Sequence, residues 1–316
     1  MSRSSDSRPL STVVDLPEPL RRGAGTVVIE PPEGRPGSWA GAPSALLVDG
    51  TYYLAYRLRR PVGEGRGYAN VVARSVDGER FETVAVVEKS SFGCDSVERP
   101  ALVVTPQGTW RLYVSCATPA SDHWRVDLLE APSPELLAGA APRTVLPGSG
   151  ELAVKDPVIV QSGGRWHLWA SCHPLGDPSA TDRMTTEYAT SPDGVAWQWH
   201  GTALAGRPGR WDARGVRITS VDLAGPRPVA FYDGRASAAE NWEERTGIAV
   251  GQGRFGMFAA DGDAPALASP HRGGGLRYVT TLDLAHGARR YYYETTRADG
   301  AHELRTRVVL PTAEVA

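Results

Sequence analysis

The chain has 316 residues, 41% of them hydrophobic and 22% charged, with a formal net charge of −2 at pH 7. That apolar content suffices for a full core, in one large all-β domain or two ordinary ones. A near-neutral charge gives no reason to expect nucleic acid or an acidic membrane as partner.

The opening segment, "MSRSSDSRPLSTVVDLPEPLRRG", lacks the apolar stretch of roughly 7 to 15 residues that a signal peptide uses. No later run approaches the roughly 18 apolar residues of a membrane span. The three cysteines, Cys94, Cys116 and Cys172, are odd in number and have no metal-type spacing. A reduced, cytoplasmic protein is expected, with residues 1–37 as a lead-in that either precedes or closes the domain beginning at 38.

Short β-rich runs then alternate with turn signals such as "VDG", "PQG", "SGG" and "SPDG". The only helix candidate is "SPELLAGAA". A unit of three or four strands recurs. Its first strand reads "PSALLV", "PALVV", "PVIVQ", "GVRITSV" and "GGLRYVTTL". Its second reads "TYYLAYRL", "TWRLYVSC", "RWHLWASC", "RPVAFYDG" and "ARRYYYET", and a third follows after a variable loop. Pro43, Pro100, Pro157, Gly215 and Pro270 mark the unit starts, at steps of 57, 57, 58 and 55 residues.

Five such units over residues 38–316 predict an all-β, five-bladed β-propeller, because a single small sheet cannot cover both its faces and blades bury one another radially. The first strand of each blade lines the central channel. Residues at the starts of those strands converge, although they are distant in sequence. Just before the markers stand Ala42, Arg99, Asp156, Arg214 and Ser269; one step earlier stand Gly41, Glu98, Lys155, Ala213 and Ala268, with Asp212 a further step back. Glu98, Asp156, Asp212, Arg99 and Arg214 are therefore expected to crowd one channel mouth, with at least one carboxyl titrating high. The competing reading is a set of ion pairs that merely closes the ring.

Several quoted segments carry a resemblance: "KDPVIV", "YLAYRLRR", "ARSVDGERFE", "FYDGR" and "WEERTGIAVG". From about residue 38 to 310 the chain resembles the five-bladed propeller carbohydrate enzymes. These are the arabinanases and xylosidases of glycoside hydrolase family 43, their fructosidase relatives (family 32) and the mannoside phosphorylases (family 130). The resemblance implies an enzyme cleaving a glycosidic bond in the funnel, by hydrolysis or phosphorolysis, with a small carbohydrate as substrate. It implies three acids in the hydrolases, and Asp156 matches the middle one. Ala42 stands where the base belongs and Ala213 where the acid belongs, with Asp212 beside it. The phosphorylases use phosphate as nucleophile and need no base, but Arg99 replaces their proton donor and leaves Glu98 beside it. A diverged propeller that binds a sugar without turnover is the alternative.

Asp156, Glu98 and Asp212 are thus the candidate catalytic carboxylates. Arg57, Arg99, Arg214 and Arg235 are candidate anion ligands. His173, Trp242, Asp233 and His271 are candidate substrate contacts, although Asp233–Gly234 reads equally as a turn. Cys116 and Cys172 read as buried small residues. Neither a metal nor a cofactor is expected.

Overall fold

The computed structural model describes residues 16–311. The first fifteen residues of the expected lead-in, and the last five of the chain, lie outside the described residues. Among the described residues, twenty strands form five four-stranded antiparallel blades, with blades five and one joined by a single parallel pair, Trp39 and His302. Blade one comprises β2 (Trp39–Val48), β3 (Thr51–Arg59), β4 (Gly67–Ser75) and β5 (Glu82–Glu88). Blade two comprises β6 (Val97–Val104), β7 (Trp110–Ala117), β8 (Trp124–Ala131) and β9 (Arg143–Leu146). Blade three comprises β10 (Leu152–Ser162), β11 (Arg165–Pro174), β12 (Thr185–Ser191) and β13 (Gln198–Leu204). Blade four comprises β14 (Gly215–Asp222), β15 (Val229–Arg235), β16 (Arg245–Gln252) and β17 (Arg254–Asp261). Blade five comprises β18 (Leu276–Asp283), β19 (Arg289–Thr296) and β20 (His302–Val309), and β1 (Thr26–Ile29) supplies its outer strand. The segment "SPELLAGAA" forms a 3-10 helix, Pro134–Gly139, and not an α-helix.

The ring closes through its first strands: β2 touches β6, β6 touches β10, and so on through β14 and β18 back to β2. Strand alternation sends successive side chains to opposite faces, so each blade feeds two cores. Leu112 and Val114 enter the core between blades one and two, whereas Tyr113 enters the one between blades two and three. Equivalent cores join blades three and four, four and five, and five and one. Cys116 and Cys172 are buried in two of them, and all three cysteines are free. No helix among the described residues is long and apolar enough to cross a membrane.

Every first strand carries a β-bulge at the channel. Ala42, Asp156 and Tyr278 hold the bulge with φ of 55°, 53° and 55°. Pairing registers place Gly41, Glu98, Lys155, Arg217 and Arg277 as equivalents, followed by Ala42, Arg99, Asp156, Ile218 and Tyr278. This corrects the repeat. The counterparts of Pro157 are Thr219 and Val279, not Gly215 and Pro270. In blades one to three a proline stands in the bulge or directly after it and marks it in the sequence; blades four and five have none, and longer connections precede their bulges.

Candidate functional site

The residues before the bulges form the floor of a funnel of about 230 Å³. Because a bulge redirects side chains, Glu98, Lys155, Arg217, Arg277 and Tyr278 line this cavity, whereas Arg99 does not. The second strands add Arg57, Arg59, His173 and Arg235, and the loops add Trp242, Glu244, Asp122 and Asp182. Trp39, Trp124 and Trp242 supply aromatic walls.

A network of alternating charge holds the floor. Arg57 donates to Glu98 Oε2 and, at 3.1 Å, to Glu294 Oε2. Arg277 donates to Glu294 Oε1 at 2.8 Å and to Glu244 Oε2 at 2.7 Å. Arg235 donates to Glu244 Oε1 at 2.5 Å. Arg217 donates to Asp233 Oδ2 at 2.7 Å and to Asp156 Oδ2 at 3.1 Å, with its guanidinium 3.9 Å from the Tyr278 ring centroid. Gly41 lacks the side chain its four counterparts carry because the Glu294 carboxylate fills that place. A Cβ there would collide with it, and the Ala42 N–H donates to Glu294 Oε2 at 2.9 Å.

Most carboxylates sit behind the cations. Seven Arg and Lys residues line the cavity against four Asp and Glu residues, so the surface offered to a ligand is positive. Burial is the main influence on the titrating groups there, with the neighbouring charges second. Burial, with Arg57 and Arg277 beside it, pushes Arg59 down to about 9. Burial and the neighbouring Arg217 lower Lys155 to about 8, although Asp156 opposes them. Burial, with Lys155 adjacent, lowers His173 to about 3. Its ring is held by Thr181 O at 2.9 Å and the Ser171 hydroxyl at 3.3 Å. Burial raises Glu294, but Arg277 and Arg57 outweigh it and hold the carboxyl well below its usual range.

Of the residues named from sequence, Arg57, Glu98, His173, Arg235 and Trp242 line the funnel. Asp156 and Asp233 lie directly beneath it, bound to Arg217. Asp156 does not titrate high as expected of one of the three acids: burial raises it, but Lys155, Arg217 and Arg99 together hold it low. Four residues fall elsewhere. Asp212 is buried away from the funnel, accepting from Arg207 at 2.9 Å and Tyr232 at 2.9 Å. Arg214 sits on an outer rim, donating to Asp182 Oδ1 at 2.6 Å. His271 is exposed and outside the funnel. Arg214 and His271 were placed by unit markers four and nine residues short of the true bulges, and Asp212 by extension from the first of these. Arg99 points to the far side of the floor.

Sequence reasoning missed Arg217, Arg277, Tyr278, Arg59, Trp39, Glu244 and Glu294. Two signals were present. Arg59 follows Arg57 by two on one strand, hence on the same face, and Glu294 aligns with Asp233 in the second-strand repeat.

No protein-family model and no curated protein sequence matches the chain. Solved structures do match over nearly the whole length. A thermostable family-43 glycoside hydrolase aligns with a TM-score of 0.66 at 13% identity, covering 87% of this chain and 91% of that one. A glycosyl hydrolase from Bacteroides ovatus aligns at 0.63 and 15% identity, covering 93% and 92%. The β-1,2-mannobiose phosphorylase from Listeria innocua aligns at 0.62 and 16% identity, covering 92% and 94%. The chain therefore shares the five-bladed propeller fold of these glycosidase-like proteins.

Proposed function

We propose that the funnel cleaves a glycosidic bond, and that its reaction involves an oxyanion, carried either by the sugar or by inorganic phosphate acting as nucleophile. One observation carries this reading: a tryptophan-walled cavity the size of a single sugar ring is lined by seven Arg and Lys residues against four Asp and Glu residues. Ring faces suit the apolar side of a pyranose. Arg59, Arg217 and Arg277 suit an oxyanion, since charge-assisted bonds are about twice as strong as neutral ones. The fold shared with glycoside hydrolases and a mannoside phosphorylase supports the reading by analogy only.

Lys155 is the proposed proton donor to the leaving oxygen. Its ammonium has no hydrogen-bond acceptor in reach among the described residues, the nearest carboxylate oxygen being Asp156 Oδ2 at 3.9 Å. A value of about 8 keeps it largely protonated at neutral pH. Glu98, between Arg57 and Arg59, is the lining carboxylate proposed to accept a proton from water in a hydrolysis; phosphorolysis needs no such base. A second reading, binding without turnover, is favoured by the pairing of Glu98 and Glu244 with arginines, which leaves neither as a ready acid.

A screen of neutral and acidic glycosides, with and without phosphate, tests these readings. Turnover confined to acidic substrates or to phosphate is expected, declining as pH rises through about 8. Lys155→Met should lower it at least about a hundredfold while sparing binding. Binding without any turnover leaves the second reading; neither binding nor turnover removes both.

A further inference from the structure

Beyond the floor, the channel opens into a second cavity of about 130 Å³, to which all five first strands contribute residues on the other side of their bulges. Arg99 is its one charged lining residue, and no carboxylate lines it. Arg99 is only 3% exposed. Its Nη2 donates to Thr219 O at 2.5 Å, but Nε and Nη1 have no partner. Asp156, whose Oδ2 accepts from Arg217 on the funnel side while its Oδ1 has no partner, pulls on Arg99 without hydrogen-bonding it. Ser220 Oγ, also lining this cavity, is buried without a partner. Ser44 Oγ accepts from the Leu102 N–H at 3.0 Å and keeps its own proton to donate. Ala101, Pro157 and Val158 complete an apolar wall. Burial lowers Arg99 to about 10, against the pull of Asp156 and Asp233.

We infer that this cavity binds a small monovalent anion of the halide class, held by Arg99 Nε and Nη1 and by the hydroxyls of Ser44 and Ser220. Buried donors without acceptors are costly, and a weakly hydrated anion satisfies several at once without needing directional lone pairs. The site lies on the opposite side of the floor from the funnel and does not depend on what the funnel binds.

Bromide-soaked crystals and thermal melts test the inference. An anomalous bromide peak is expected within hydrogen-bonding distance of Arg99. Chloride or bromide on the order of 100 mM should raise the melting temperature by about 2 °C or more over gluconate at equal ionic strength, since gluconate is too large for the cavity. Arg99→Gln and, as a milder change in case that variant folds poorly, Ser220→Ala should each reduce the halide response. No bromide at Arg99, or a peak appearing only at soaking concentrations with no thermal response, would mark an adventitious ion only and overturn the inference. A halide response unchanged in both variants would overturn it as well.

Discussion

Gly41 holds in blade one the place that Glu98, Lys155, Arg217 and Arg277 hold in the other four, and Glu294 occupies the space so freed. Glu294 is fully buried between Arg57 and Arg277 and also bonds His302 Nδ1 at 2.7 Å. Glu294→Gln keeps its shape but strands two buried guanidinium groups. A loss of about 3–5 kcal/mol is expected in denaturant melts, the usual cost of breaking one side of a buried pair; a loss below about 1 kcal/mol would mean the network is solvated. His173 gives a pH signature. Its folded value of about 3 lies below the 6.5 of an unconstrained imidazole, so the unfolded chain binds more protons between those values. The His173 contribution to stability should therefore be lost as pH drops from 6.5 toward 3, opposed between about 6 and 3.8 by Asp233, whose carboxyl burial raises to about 6. Burial also lowers His167, which adds to the slope. Below about 4.5 the carboxyls of Glu244 and Glu294, held low by Arg277, add their own loss. His173→Asn should flatten the portion between pH 6.5 and 4.5 and leave the lower part. An unchanged profile in melts across that range would show that the ring is not held neutral. At this scale the sequence was readable where proline marked the bulge: "KDP" located Lys155 at the funnel, although Asp156 lies beneath it, bound to Arg217. Arg217 and Arg277 follow no such mark, so their convergence was hidden.

The first three strands of each blade were legible because they carry alternating or continuous apolar runs with Gly-containing turns between them. The outer strands were not, since they are short or largely exposed: β9 has four residues, and β5 alternates exposed and buried positions. The strand β1 was harder still, because its partner β20 lies at the other end of the chain. Its role is nonetheless physical. It covers the edge of blade five, and Leu16 and Leu20 ahead of it are buried in the core between blades four and five. Deleting residues through Ile29 should expose an unpaired edge, which invites association, and remove two buried leucines worth about 2–5 kcal/mol each. A melting temperature lower by about 10 °C or more is expected, with concentration-dependent aggregation seen by light scattering. A truncated chain that melts like the full one would show that three strands suffice for blade five.

On the scale of the whole molecule, five inter-blade cores and the cyclic contact of the first strands fix an axis, and the bulges divide that axis into two polar compartments. The funnel side gathers cations in front of carboxylates; the far side keeps Arg99 nearly alone. Repeat spacing alone could announce the ring, yet not the division, because at the bulge neighbouring side chains part to opposite sides of the floor and equivalent ones differ: Tyr278 lines the funnel and Arg99 the far cavity. That is why Glu98 reaches the funnel and Arg99 does not. The central claim is that the funnel takes an oxyanion together with a sugar face. Calorimetric titration at constant chloride tests it most directly, using glucosides, galactosides and mannosides paired with their uronic acid counterparts, and inorganic phosphate alone. The field around Arg59, Arg217 and Arg277 predicts that phosphate or an acidic member binds at least about tenfold more tightly than the neutral ligands, a difference of about 1.4 kcal/mol. It also predicts that the preference collapses in Arg59→Gln. Neutral sugars binding as well as their acidic partners, or an acidic preference untouched by Arg59→Gln, would contradict it.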